Sequence, residues 1–155
     1  MIGVDPQKII DFLREELQIT EEELLRRYRQ EDTIPATIFQ EELTALESIS
    51  TYLHNKGLTT TEIAQKTKRP YNSIRAAINN TKNKNVTLRE ETTTPYTIPL
   101  QELREELSPA EAVTHYLHKN YQLTPTQISE LLQKDPRNIT ATLTKAKKKL
   151  RGETQ

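Results

Sequence analysis

Two stretches of the chain gather side chains suited to a polyanion. The first holds Arg69, Arg75 and Lys82, interleaved with Tyr71, Asn72, Ser73 and Asn79. The second holds Arg137, Lys145, Lys147 and Lys148, interleaved with Asn138, Thr140 and Thr144. Cations of this kind neutralise phosphates and give salt-dependent affinity. Arg and Asn also pair with base edges, so Asn72, Arg75, Arg137 and Asn138 are the candidates for sequence contacts. The chemistry these residues suit is recognition of double-stranded DNA, with no bond made or broken.

Other chemistries are poorly provided for. The acidic groups Glu15-Glu16, Glu21-Glu22-Glu23, Glu41-Glu42 and Glu105-Glu106 lie near expected helix ends, where solvated faces and favourable helix dipoles account for them. His115 and His118 stand one helical turn apart, but residue 51, which matches His115 in the repeat below, is Thr. His54 and His118 share a repeat position, which suggests a structural role at a helix end. With no Cys and only three Gly, the chain has neither a thiolate metal site nor a Gly-rich phosphate loop. No enzyme, metal or cofactor is expected.

The basic stretches need helices to present them. Ser108-Pro109-Ala110-Glu111 starts one: Ser108 caps, Pro109 suits the first position and Glu111 completes a capping box. Ala112, Val113, Tyr116 and Leu117 then recur at helical spacing. Thr124-Pro125-Thr126-Gln127 starts a second helix, with Ile128, Leu131 and Leu132 as its buried stripe. Asp135-Pro136 starts a third, with Ile139, Leu143, Ala146 and Leu150 inward. The cations and amides of residues 137–148 fall on its outer face.

The same plan occurs earlier in the chain. Tyr52-Leu53-His54 matches Tyr116-Leu117-His118, and Leu58-Thr59 matches Leu123-Thr124. Ile63, Ile74 and Ile78 match Ile128, Ile139 and Leu143, and the lead-in Ile34-Pro35 matches Ile98-Pro99. Such a repeat sets the architecture. A partial third copy precedes them, where Phe12-Leu13 takes the place of Tyr116-Leu117 and the last helix is missing. Its apolar residues Ile9, Ile10, Phe12, Leu13, Leu17, Leu24 and Leu25 call for a partner, with dimerisation favoured.

Charge follows the repeat. The 155 residues carry no net charge, yet residues 1–60 are at −6, 61–90 at +5, 91–120 at −3 and 121–155 at +4. Each module begins acidic and ends basic, the electrostatic footprint of a nucleic-acid binder. A module of about 50 residues is marginal alone, so the modules should lean on one another or on a second chain.

A short helix, a tight turn and a third helix with a basic outer face form the helix-turn-helix pattern. LTPTQISELLQKDPRNITATLTKAKKKLRG resembles the C-terminal, promoter-reading domain of bacterial sigma factors, through Ile128, Leu132, Ile139, Leu143 and the Lys145–Leu150 run. The modules led by Ile34-Pro35 and Ile98-Pro99 also resemble uncharacterised archaeal helix-turn-helix proteins. There are departures: Ser129 stands where Ala64 keeps the usual small residue, and Gly57 faces Tyr121-Gln122. The region by which sigma factors hold polymerase has no counterpart, so only the module is shared.

The expectation is an all-α protein. Residues 1–33 form a helical hairpin, 34–84 the first helix-turn-helix module, 85–97 a linker and 98–151 the second module. Two linked heads would give one chain two DNA half-sites. The role implied is a transcription regulator or a nucleoid-associated protein, cytoplasmic and on the nucleoid. Partners would be double-stranded DNA, a second copy in a homodimer or higher assembly, and the transcription machinery, with no membrane. The alternative is a scaffold that self-assembles through its repeats.

Overall fold

A computed structural model describes residues 5–17, 33–89 and 94–152. The chain divides into two compact units, Met1–Thr33 and Ile34–Gln155. Among the described residues there are seven α-helices and two three-residue strands, and none of the helices is long and apolar enough to cross a membrane.

In the first unit, α1 spans Pro6–Leu17. Asp5 caps it, its carboxylate accepting the Gln7 N–H at 3.0 Å. Ile9 and Phe12 are 45% and 60% exposed. The side chains of Ile10, Leu13 and Leu17, and the expected second helix with Leu24 and Leu25, lie outside the described residues.

The second unit holds both full modules. β1 (Thr33–Pro35) leads through a turn of 3-10 helix (Ala36–Ile38) to α2 (Ala45–Asn55), α3 (Thr60–Thr67) and α4 (Tyr71–Lys84). β2 (Thr97–Pro99) leads the same way through Leu100–Glu102 to α5 (Pro109–Tyr121), α6 (Pro125–Leu132) and α7 (Pro136–Leu150). The capping logic is as expected. Thr44, Thr59, Ser108 and Thr124 each close a capping box with the residue three positions on. Each box satisfies two backbone donors that a helix start leaves open.

The modules interlock instead of sitting side by side. β1 pairs with β2. Ala36, just after β1, donates its N–H to Tyr96 O, just before β2, at 2.9 Å. A bond joining the end of one strand to the start of the other makes the pair antiparallel. Ile34 and Ile98, one on each strand, are fully buried. The turn Ala36–Ile38 packs on α6 of the other module, and Leu100–Glu102 packs on α3. Helices α2 and α5 also meet. One apolar cluster, including Ile49, Ile63 and Ile74 with Leu117, Ile128 and Ile139, runs through both modules. This continuity meets the need that small size imposes on each module.

The segment expected as a linker is tied down on both sides of residues 90–93, which lie outside the described residues. Leu88 is buried, and the Arg89 guanidinium donates to Phe39 O at 2.9 Å. Tyr96 meets Tyr121 edge to face at 5.2 Å, and Tyr121 Oη bonds both Thr97 N and Thr97 O. The two modules therefore have a fixed relative orientation.

Candidate nucleic-acid interface

Helices α4 and α7 owe their inward faces to apolar residues at helical spacing: Ile74, Ala77 and Ile78 in one, Ile139, Leu143 and Ala146 in the other, all buried. The turn before each helix is set by a residue in the left-handed region, Lys68 (φ 56°) and Gln133 (φ 55°). Arg69 N then donates to Ala64 O, and Lys134 N to Ser129 O, satisfying carbonyls at the ends of α3 and α6.

The opposite faces carry the expected site residues. Asn72, Arg75, Asn79 and Lys82 are exposed, Tyr71 is 49% exposed and Ser73 is half-buried. Arg137, Asn138, Thr140, Thr144, Lys145 and Lys147 are exposed, and Lys148 is half-buried. The eight cations of α4 and α7 come with no carboxylate in either helix, whereas each of the other five helices contains at least one. Among the described residues, Arg75, Lys82, Arg137, Lys145, Lys147 and Lys148 have no acidic partner.

Arg69 is the exception, and here the structure corrects the expectation. Its guanidinium turns away from the outer face of α4 and crosses to the other module. Nη2 donates to Leu107 O at 2.6 Å and to Arg104 O at 3.0 Å. Lys134, its repeat counterpart, crosses the opposite way, donating from Nζ to Leu43 O at 2.6 Å and Glu41 O at 3.3 Å. Burial pushes the pKa of both cations down, while Glu105 beside Arg69 and Glu41 beside Lys134 act in the other direction.

The acidic residues also contain a surprise. Glu47 and Glu111, the third residues of α2 and α5, are buried. Each carboxylate takes a Lys from the end of its own module's third helix, Lys84 and Lys149, at 2.7 Å in both cases. Burial alone would raise these carboxyls. The Lys84 and Lys149 hydrogen bonds, with those from Thr44 and Ser108, hold them below the usual carboxylate range. The sequence signal available was that both residues serve as the Glu of a capping box at matching repeat positions.

These contacts limit how far apart the two basic helices stand. Glu47 Oε1, which holds Lys84, also accepts the Thr44 N–H at 2.9 Å. The carbonyl of that same peptide bond, Leu43 O, holds Lys134. On the other side Glu111 Oε1 holds Lys149 and accepts the Ser108 N–H at 2.8 Å, and Leu107 O holds Arg69. Even with all four cation side chains fully extended, each path covers only about 24 Å from Cα to Cα by standard bond lengths. The end of α4 is tied to the start of α7 and the end of α7 to the start of α4, so the helix midpoints lie within about 24 Å as well. Helix-turn-helix pairs on successive half-sites stand about 34 Å apart. The midpoints of α4 and α7 in one chain therefore stand closer together than that spacing.

The histidines differ despite their shared position. His118 Nδ1 lies 2.9 Å from Leu123 O, closing the turn after α5, whereas His54 is exposed. Burial, then Lys119 and Arg104, push the His115 pKa down. Among the described residues no three His, Asp, Glu or Cys side chains gather as a metal-binding group.

Compared with family models, curated proteins and solved structures, the chain finds no match.

Proposed function

We propose that this chain binds double-stranded DNA through the outer faces of α4 and α7, its two modules acting as fused helix-turn-helix units. The role that suits it is transcription regulation or organisation of the nucleoid. One observation carries the reading. Among the described helices, only α4 and α7 lack a carboxylate, and their outward cations are left without acidic partners. Charge this one-sided, at equivalent places in two repeats, suits a phosphate backbone. Cations that serve folding, Lys84, Lys149, Arg69 and Lys134, are by contrast engaged with carboxylates or carbonyls.

The test is duplex binding followed by fluorescence anisotropy against salt. A variant with Arg75, Arg137, Lys145, Lys147 and Lys148 changed to Ala is measured beside it. Steep salt dependence and loss of binding in the variant support the reading. No binding by the unaltered chain at about 50 mM salt overturns it, since even non-specific contacts show there.

A second reading has its own observation. Ile9 and Phe12 are exposed apolar residues on α1, which favours self-association through the N-terminal helix. Sedimentation at several concentrations, with and without Phe12→Ser, separates assembly from DNA binding.

A further inference from the structure

The two basic helices occupy equivalent places, yet their outer faces differ position by position. Asn72, Arg75 and Asn79 of α4 stand opposite Arg137, Thr140 and Thr144 of α7 in the repeat. Further along, Asn80 and Asn83 stand opposite Lys145 and Lys148. The face of α4 is therefore rich in amides around one guanidinium, and that of α7 is rich in ammonium groups toward its C-terminal end.

The hydrogen bonding separates them further. Thr140 Oγ1 donates to Pro136 O at 3.1 Å, and Thr144 Oγ1 donates to Thr140 O at 2.9 Å. Both hydroxyl hydrogens are spent inside α7. Among the described residues, the side chains of Asn72, Arg75 and Asn79 have no such internal partner. Asn and Arg are the side chains that pair in bidentate fashion with adenine and guanine edges. Lys is a point charge suited to phosphate, and it reads a guanine edge with less geometric constraint than the planar fork of Arg.

The helix starts differ in the same sense. Asp135 caps α7, accepting the Arg137 N–H at 2.8 Å, and sets a carboxylate where a reading helix approaches the duplex. Pro70 begins α4 with no side-chain cap and no charge. Tyr71 follows it, exposed.

We propose that the two heads are not equivalent: α4 reads base edges through Asn72, Arg75 and Asn79, and α7 serves chiefly to hold phosphates through Lys145, Lys147 and Lys148, its exposed Arg137 and Asn138 lying beside the Asp135 carboxylate. This rests on the DNA-binding reading above. The limited separation of the helices fits it, because one reading head needs no second half-site a full turn away.

The experiment selects duplexes from a randomised library with the full chain, with N72A/N79A/R75A and with K145A/K147A/K148A. Five of the six positions are exposed and Lys148 is half-buried, and thermal melting checks that each variant is folded. The unaltered chain should enrich a motif. The α4 variant should keep binding random duplex while enriching none. The α7 variant should enrich the same motif, with a salt slope shallower by about 2 to 3, since each lost phosphate contact removes about 0.9. A motif that survives the α4 changes, or disappears with the α7 changes, overturns the division of labour. So does duplex binding with no motif at all. No binding to random duplex by the unaltered chain would instead fail the DNA reading itself.

Discussion

Arg69 and Lys134 hold the same place in the two repeats, one residue past a left-handed turn residue, and each reaches across the molecule to the carbonyl before the other module's first helix. The acceptors, Leu107 and Leu43, are themselves repeat equivalents. Both contacts join segments far apart in sequence, so they close the fold rather than a local turn.

Removing either cation should loosen the union of the modules. Arg69→Ala leaves Leu107 O and Arg104 O without their charged donor. The expected loss is about 1–2 kcal/mol, in line with hydrogen bonds to charged groups that are partly open to water. Lys134→Ala should cost a similar amount. Urea unfolding measures both, and an unchanged midpoint for each would show that the cross-module bonds contribute nothing.

The buried carboxylates make stability depend on acid. Their pKa values are depressed in the folded protein. The stabilisation is thus complete above the unfolded carboxyl value of about 4.3 and is lost as pH falls through the lower folded value. E47Q/E111Q should be less stable near neutrality. Its melting temperature should also fall less than that of the unaltered chain between roughly pH 5 and pH 3. Parallel melting curves across that range would assign the acid sensitivity elsewhere.

The turns before α4 and α7 are occupied by side chains in a region that favours glycine. Lys68→Gly and Gln133→Gly should each raise stability by roughly 0.5 kcal/mol, the relief of left-handed backbone being partly offset by a freer unfolded chain. Chemical denaturation reads this directly. Destabilisation would mean that the Lys68 or Gln133 side chain makes a contribution larger than the backbone cost.

The separation limit has a consequence for DNA. At one chain per duplex, a site with a single half-site should bind as tightly as one with two half-sites about 10 base pairs apart. Anisotropy titrations with both duplexes test this. A tenfold preference for the paired site by a single chain would mean that both helices engage half-sites.

Much of the fold was legible in the sequence because its determinants are local. Ser108 with Glu111, Thr124 with Gln127 and Asp135-Pro136 announce helix starts within four residues of themselves, and the starts occur there. The inward stripes Ile128–Leu132 and Ile139–Leu143 follow from helical period alone. The union of the modules was not legible. Arg69 resembles an exposed cation at the start of a basic helix, and its acceptors lie 35 and 38 residues away. Glu47 and Glu111 had complete local explanations as capping residues, which concealed their ion pairs with Lys84 and Lys149. Residues 85–97 read as a linker because Thr and Pro are common there, yet Leu88 and Tyr96 anchor its described parts. Of the candidate interface, the outer faces of α4 and α7 followed from periodicity, while the distance between them depended on contacts that no local pattern encodes.

The reciprocal bonds of Arg69 and Lys134 have the form of an isologous interface, the kind that two identical subunits make about a twofold axis. In a true homodimer every substitution appears twice, so both copies of a helix must change together. Here the two halves share one chain and are encoded separately. The shared scaffold can stay matched, Leu43 with Leu107 and Glu47 with Glu111, while α4 and α7 diverge one residue at a time. Covalent fusion thus lets the two halves of this chain carry different outer faces on α4 and α7, a freedom that a symmetric dimer of the same architecture is denied.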